Sequence, residues 1–296
     1  MDCICSIDIS IIQGLLDSNK EYKKCLADVT SEQLNKAFSD NHLGKIAFVK
    51  TNYDGGDCFY GIYPDTKIDS DSKMGVDIPV KISKGEDANG IIMFVGESVL
   101  RKIKDFKNAN SGLLIGTPFA IVGNNDKPKS CYVYKLIFEE WLDKGYDIYI
   151  TDYIKMWSNG KNYLKDDDCS KIRELSIELL GAEIQNIKPN FIVPFGKKAK
   201  EAINKITTKP NTIKKEQVID VTHPSNNARV HWKIKMYEEI LDALLNQKKN
   251  GSDIKKMEGY KVFKIGGKVV KDENVAAFAN QEILGKMNKK KKRDRR

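Results

Sequence analysis

Gly90-Ile-Ile-Met-Phe-Val-Gly-Glu-Ser98 is an apolar run that stops at Gly96-Glu97. Apolar residues closed by a glycine predict a buried parallel strand whose carboxyl end opens into a loop. Three later stretches repeat the pattern: Ile148-Tyr-Ile-Thr-Asp152, Phe191-Ile-Val-Pro-Phe-Gly196 and Val218-Ile-Asp-Val-Thr-His-Pro-Ser225. Each ends in small, polar or ionisable residues. Open α/β sheets bind ligands at the carboxyl ends of their strands, so these residues are expected to converge on one rim.

Strands and helices alternate from Gly90 to about Asn246, the order of a parallel sheet covered on both faces. Tyr132–Lys144 reads as a helix with Leu136, Ile137, Trp141 and Leu142 on its apolar stripe. Asp167–Asn186 reads likewise, with Ile172, Leu175, Leu179 and Leu180 inward and Pro189 past its end. A last helix of this set is expected over Trp232–Leu245. Before this core, helical patterns at Ile11–Leu16 and Ser31–Phe38 precede strand-like pieces at Lys45–Lys50 and Cys58–Tyr63, then an exposed loop over Pro64–Lys73. After it come a hairpin over Tyr260–Val270 turning at Gly266-Gly267, a short helix over Asn274–Leu284, and a basic tail. The expected division is 1–88, an N-terminal α+β elaboration; 89–248, the core; 249–288, hairpin and helix; and 289–296, a disordered tail. The core is expected to be a three-layer α/β/α sandwich on a mostly parallel four-stranded sheet.

The 296 residues suffice for a proper core, and no apolar run approaches a membrane span. The start of the chain shows no secretory pattern, so the six scattered cysteines read as reduced thiols of a cytoplasmic protein. Cys3 and Cys5 do not form a CxxC pair and only three histidines are present, which argues against structural zinc. The last eight residues carry +6 of the net +9 charge, so the body is mildly basic. The tail fits a polyanion through phosphate attraction; a merely solvated terminus explains it equally. A Walker or dinucleotide glycine loop is missing, which argues against a nucleotide-processing enzyme.

Five motifs, in order, resemble the uracil-DNA glycosylase superfamily, nearest to the branch whose first motif begins Gly-Glu-Ala-Pro-Gly. They are Met93-Phe-Val-Gly-Glu-Ser98; Gly116-Thr-Pro-Phe119, similar to Gly-Arg-Pro-Phe; Tyr149-Ile-Thr-Asp152, similar to Tyr-Ile-Thr-Asn; Lys188-Pro-Asn-Phe-Ile-Val-Pro-Phe-Gly196; and His223-Pro-Ser225. The resemblance implies a monomeric, monofunctional enzyme, nucleoid-associated, that extrudes a base from DNA and hydrolyses its N-glycosidic bond without a metal. By resemblance, Phe119 stacks on the base and Asp152 reads its edge beside Gly96 and Ser98. His223 stabilises the leaving base by a hydrogen bond, and Ser225 holds a flanking phosphate. Lys197, Lys198, Asn226 and Arg229 are candidates for the DNA backbone. Plainer readings stay open: Phe119 in the core, Asp152 or His223 capping a helix, and the lysines on a solvated face.

Three departures qualify the resemblance. Ser98-Val-Leu100 replaces Ala-Pro-Gly, leaving Glu97 or Asp105 to activate water. Met156 stands where iron–sulfur members have a cysteine, so no cluster is expected. Asp152 replaces the asparagine. A carboxylate meets uracil O4 with lone pairs against lone pairs, whereas cytosine offers an amino donor at N4. A protonated Asp also donates to cytosine N3, and burial favours that form. A modified cytosine, in anti-phage defence or repair, is therefore the expected target. Uracil removal and a non-catalytic DNA- or protein-binding module are the alternatives.

Overall fold

The computed structural model describes residues 4–6, 47–48, 74–77, 79–83, 88–98, 114–116, 118–120, 132–158, 170–208, 213–224 and 272–294. The opening stretch forms β5 (Ile91–Ser98), whose Ile92, Met93, Phe94 and Val95 are fully buried. It lies parallel to β7 (Asp147–Ile154) on one side and β9 (Phe191–Pro194) on the other. Parallel bridges Ile192–Val218 and Phe195–Val221 add a fourth stretch beyond β9. The expected mostly parallel α/β sheet is thus present. The chain leaves β5 for β7 on one side and returns to β9 on the other, so a topological switch point lies at the carboxyl end of β5.

Beyond β7 the sheet is widened by two antiparallel strands from the N-terminal part, β4 (Val80–Ser83) and β1 (Ile4–Ser6). Part of the segment before residue 89 is therefore built into the core sheet. A second sheet, in the order β2, β6, β3, β8, joins Ala47–Phe48, Leu114–Gly116, Met74–Asp77 and Met156–Ser158. Of these pieces the sequence reading marked only the first. That first piece lies within the apolar run Ile46–Val49, whereas the others are three or four residues long and show no alternating pattern.

Strand alternation sorts the sheet's side chains between two helical layers. Ile92, Phe94, Ile148, Ile150, Val193 and Phe195 face α1 (Tyr132–Asp143) in one continuous core. Ile137, Trp141 and Leu142 of the expected stripe are buried, Leu136 partly. On the other face, α2 (Ser170–Ile187) and α3 (Lys197–Thr207) pack together. Buried Ala199, Ala202, Ile203 and Ile206 give α3 its inward stripe. Lys188 turns out of α2 at φ 50°, and Pro189 blocks its continuation.

α4 (Asp272–Asp294) completes the α1 layer. Val275, Ala276, Ala279, Ile283 and Met287 are buried in the same core, and Trp141 Nε1 donates to Asn280 Oδ1 at 2.9 Å. This helix is longer than expected: it continues past Leu284 and through Lys289–Lys292 to Asp294, where a disordered tail was anticipated. Lysine is a good helix former, and cations complement the negative end of the helix dipole. The expected elements at 11–16, 31–38, 58–63, 64–73, 232–245 and 260–270 lie outside the described residues.

Candidate active site

Gly96 and Asp152 are directly paired across β5 and β7 at the switch point. By strand parity both face the α1 side. A Cβ on Gly96 would overlap Asp152 Oδ1 and come within 2.8 Å of Phe119 Cζ. The missing side chain is thus what lets the carboxylate and the ring close over the strand end. Asp152 is 2% exposed, with Oδ2 buried.

Phe119 is delivered by β6, which runs into the turn Pro118–Ala120. Its backbone is left-handed, φ 57° and ψ 13°, a conformation that costs a non-glycine residue about 1–3 kcal/mol and that gathers at functional sites. The half-buried ring stacks on Tyr134 of α1, centroids 4.2 Å apart and planes at 29°. Its edge meets Phe195 at 5.9 Å and 76°.

Tyr134 and His223 also meet nearly perpendicular, centroids 6.3 Å apart at 89°, and Phe195 lies 6.4 Å from the same imidazole. Phe119, Tyr134, Phe195 and His223 therefore form one aromatic wall beside Asp152. His223 Nδ1 is buried, and burial holds the imidazole below its ordinary pKa of 6.5; the nearby Glu97 charge pulls the other way with less effect. The ring is accordingly neutral near pH 7, a state in which it offers one N–H donor.

Glu97 approaches His223 around a second glycine. A Cβ on Gly196, already at φ 103°, would overlap the Glu97 carboxylate and come within 2.8 Å of His223 Cδ2. Glu97 Oε1 accepts from the backbone N–H of Lys198 at 2.8 Å, so its position is set by the amino end of α3. Lys198, a candidate for the DNA backbone, thus gives its backbone N–H to a carboxylate. The Lys197 and Lys198 side chains are exposed and both pair with Glu201. The Lys198 hydrogen bond is the main cause that holds the Glu201 carboxyl below its ordinary range.

Beneath Asp152, on the α2 side, lies a polar network that the sequence reading did not identify. Lys155 Nζ is bonded to Glu183 Oε2 at 2.5 Å, Thr151 Oγ1 at 2.6 Å and the Asp152 carbonyl at 3.0 Å. Tyr149 donates to Glu183 Oε1 at 2.7 Å. Lys155 and Glu183 are 3% and 0% exposed, so the pair is a buried one that fixes the backbone on which Asp152 is carried. Tyr134 was missed too; it was read only as one turn of a helix. Its signal was a tyrosine in the first turn of a helix that follows the Gly-Thr-Pro-Phe turn.

The structure thus brings Gly96, Glu97, Phe119, Asp152 and His223 to one rim and keeps Lys197 and Lys198 at its border. Only the backbone of Ser98 is described, at the end of β5, while Asp105, Ser225, Asn226 and Arg229 lie outside the described residues. Residues 86–245, more than half of the chain, match the Uracil DNA glycosylase superfamily. The chain belongs to that superfamily. No curated protein and no solved structure matches it. Membership implies glycosylase-type chemistry on DNA, in accord with a rim at which a buried donor, a base-sized aromatic surface and carboxylates meet. Among the described residues no helix is long and apolar enough to cross a membrane, and no group of three or more His, Cys, Asp or Glu side chains is arranged for a metal ion.

Proposed function

We propose that this superfamily member is a monofunctional glycosylase that releases a cytosine-type base, in modified form, from DNA, and that its nearest kin is the Gly-Glu-Ala-Pro-Gly branch. The observation that carries the reading is Asp152, a buried carboxylate pressed against Gly96 and Phe119 where that branch uses an amide. An extruded base stacks on the Phe119 face turned away from Tyr134 and meets Asp152 with its edge. The N4 amino group of cytosine donates to the carboxylate, whereas O4 of uracil opposes it.

Hydrolysis leaves negative charge on the departing base and positive charge on the sugar. The neutral imidazole of His223 donates to the base oxygen as that charge develops, in surroundings that its aromatic neighbours keep poor in water. Glu97, held by the Lys198 N–H, is the carboxylate that orients water or steadies the sugar cation; Asp105 is the alternative. Both bonds of the reaction are accounted for: water adds to the anomeric carbon and the base leaves protonated. We place the activity in the cytoplasm, at the nucleoid.

Purified protein is to be mixed with DNAs carrying different base modifications, and released bases identified by mass spectrometry. The expected product is a substituted cytosine, with an alkali-labile abasic site in the strand. Asp152→Asn is expected to move preference toward uracil by ten-fold or more, the size of one matched hydrogen-bond pair, about 1–3 kcal/mol. Unchanged preference removes the role given to Asp152. Absence of any released base, with DNA still bound, supports a binding module instead.

A further inference from the structure

The amino edge of the sheet, opposite the rim, gathers exposed lysines from three separate elements. Hydrogen bonds fix the direction of α4 across residues 218–222. Thr222 N donates to Glu282 Oε2 at 3.4 Å, Lys286 Nζ donates to the Asp220 carbonyl, and Lys290 Nζ donates to the Val218 carbonyl and, at 3.4 Å, to that of Lys215. The helix therefore runs antiparallel to this stretch, away from His223 and toward the edge where the strands begin. Val218 and His223 are five residues apart in a nearly extended chain, about 16 Å at the rise of a strand. Lys291, Lys292 and Arg293 continue the helix beyond that level.

Other cations gather there. Lys188 follows α2, and Lys214 and Lys215 open the turn Lys215–Gln217. Gln217 Nε2 donates to the Pro189 carbonyl at 3.0 Å, which joins the two turns. Lys188, Lys214, Lys215 and Lys289 are all exposed. Exposed lysines attract phosphates without reading bases. The rim differs in charge, with Glu97 and Asp152 beside rings.

We propose that this amino edge, with the carboxyl end of α4 at its centre, is a second DNA-binding surface that engages a different segment of DNA from the one at the rim. DNA is the polymer on which the superfamily acts, and the proposal needs no particular target base. Duplex DNA is stiff over about 150 base pairs, so a short stretch lying on the rim does not turn back to the opposite edge. The protein accordingly holds two segments at once, one for chemistry and one as a tether.

The test is the variant K289Q/K291Q/K292Q/R293Q, which spares Lys286 and Lys290 and their carbonyl contacts. Two long, unmodified duplexes with different labels are mixed with protein, and bridging is read by co-capture. The intact protein is expected to bridge and the variant to lose bridging. The slope of log affinity against log salt is expected to become shallower by about 3–4 for the four charges removed. Base release from a duplex of about ten base pairs, one helical turn, is expected to be unchanged. Absence of bridging by the intact protein overturns the proposal. So does an equal fall in release from the short duplex, which would assign the basic end to the rim. Unaltered bridging and salt slope in the variant leaves only a solvated helix end. Loss of binding to anionic vesicles with DNA binding intact assigns the surface to membranes. The bridging arm uses no base chemistry, so it stands or falls separately from the proposed activity.

Discussion

The two edges of the sheet are made from different kinds of residue. At the carboxyl edge the groups are short and crowded. Gly96 and Gly196 leave no room for a methyl group, and Asp152, Glu97, Phe119 and His223 occupy the space so created. At the amino edge Lys188, Lys214, Lys215 and Lys289 are long and exposed. A low-dielectric setting strengthens a hydrogen bond aimed at developing charge, but it demands fixed geometry. Attraction to a polyanion acts through solvent and tolerates mobile side chains. One molecule separates the two tasks by placing them at opposite ends of the same strands.

Substitutions at the two edges should accordingly differ in size and in what they alter. The largest effect is expected just beneath the rim. Lys155→Ala strands the Glu183 carboxylate in the interior and is expected to cost about 3–5 kcal/mol, read as a lowered urea midpoint. Normal stability would show that the pair does not anchor the carboxyl edge. Next comes His223→Ala, expected to lower base release about 10²–10³-fold while DNA affinity holds, the usual penalty for losing one preorganised donor. Equal loss of affinity and turnover would make His223 a binding residue.

Gly196→Ala is expected to be of intermediate size, about 1–3 kcal/mol from the positive φ alone, with a further drop in turnover as Glu97 is displaced. A crystal structure of the variant with Glu97 and His223 unmoved would refute the crowding argument. The pH response is smaller. Burial keeps His223 from taking a proton until the pH is below 6.5, so activity is expected to persist through that value and fall only in more acid solution. The unfolded chain binds that proton first, so stability should decline as pH falls from 6.5 toward the lower folded value. His223→Gln is expected to flatten that slope in urea titrations. Smallest of all, Lys197→Ala, at a side chain 85% exposed, should leave stability unchanged within error.

Much of the carboxyl edge was legible in the sequence because parallel strands are buried on both faces and read as uninterrupted apolar runs. Gly96, Asp152 and His223 could be placed at strand ends by inspection. The Lys155–Glu183 pair was not legible, since its partners lie on different elements and nothing in either segment names the other. Tyr134 was hidden for another reason: it lies within the expected helix but outside the set Leu136, Ile137, Trp141 and Leu142 read as its apolar stripe. The second sheet was lost because its strands are too short to show a period. The end of α4 misled in the opposite way. A lysine run read by composition predicts disorder, but its backbone continues a helix whose apolar side is already anchored in the core.

That anchoring has a practical corollary. The region matched to the superfamily stops at 245, yet the indole of Trp141 finds its acceptor on Asn280, and Val275, Ala279, Ile283 and Met287 roof the same layer. A chain trimmed to the matched region would leave a strip of aliphatic surface bare and a tryptophan N–H without its acceptor. Such a fragment should be sticky and poorly soluble, which makes the boundary suggested by kinship a poor guide to where this protein can be cut.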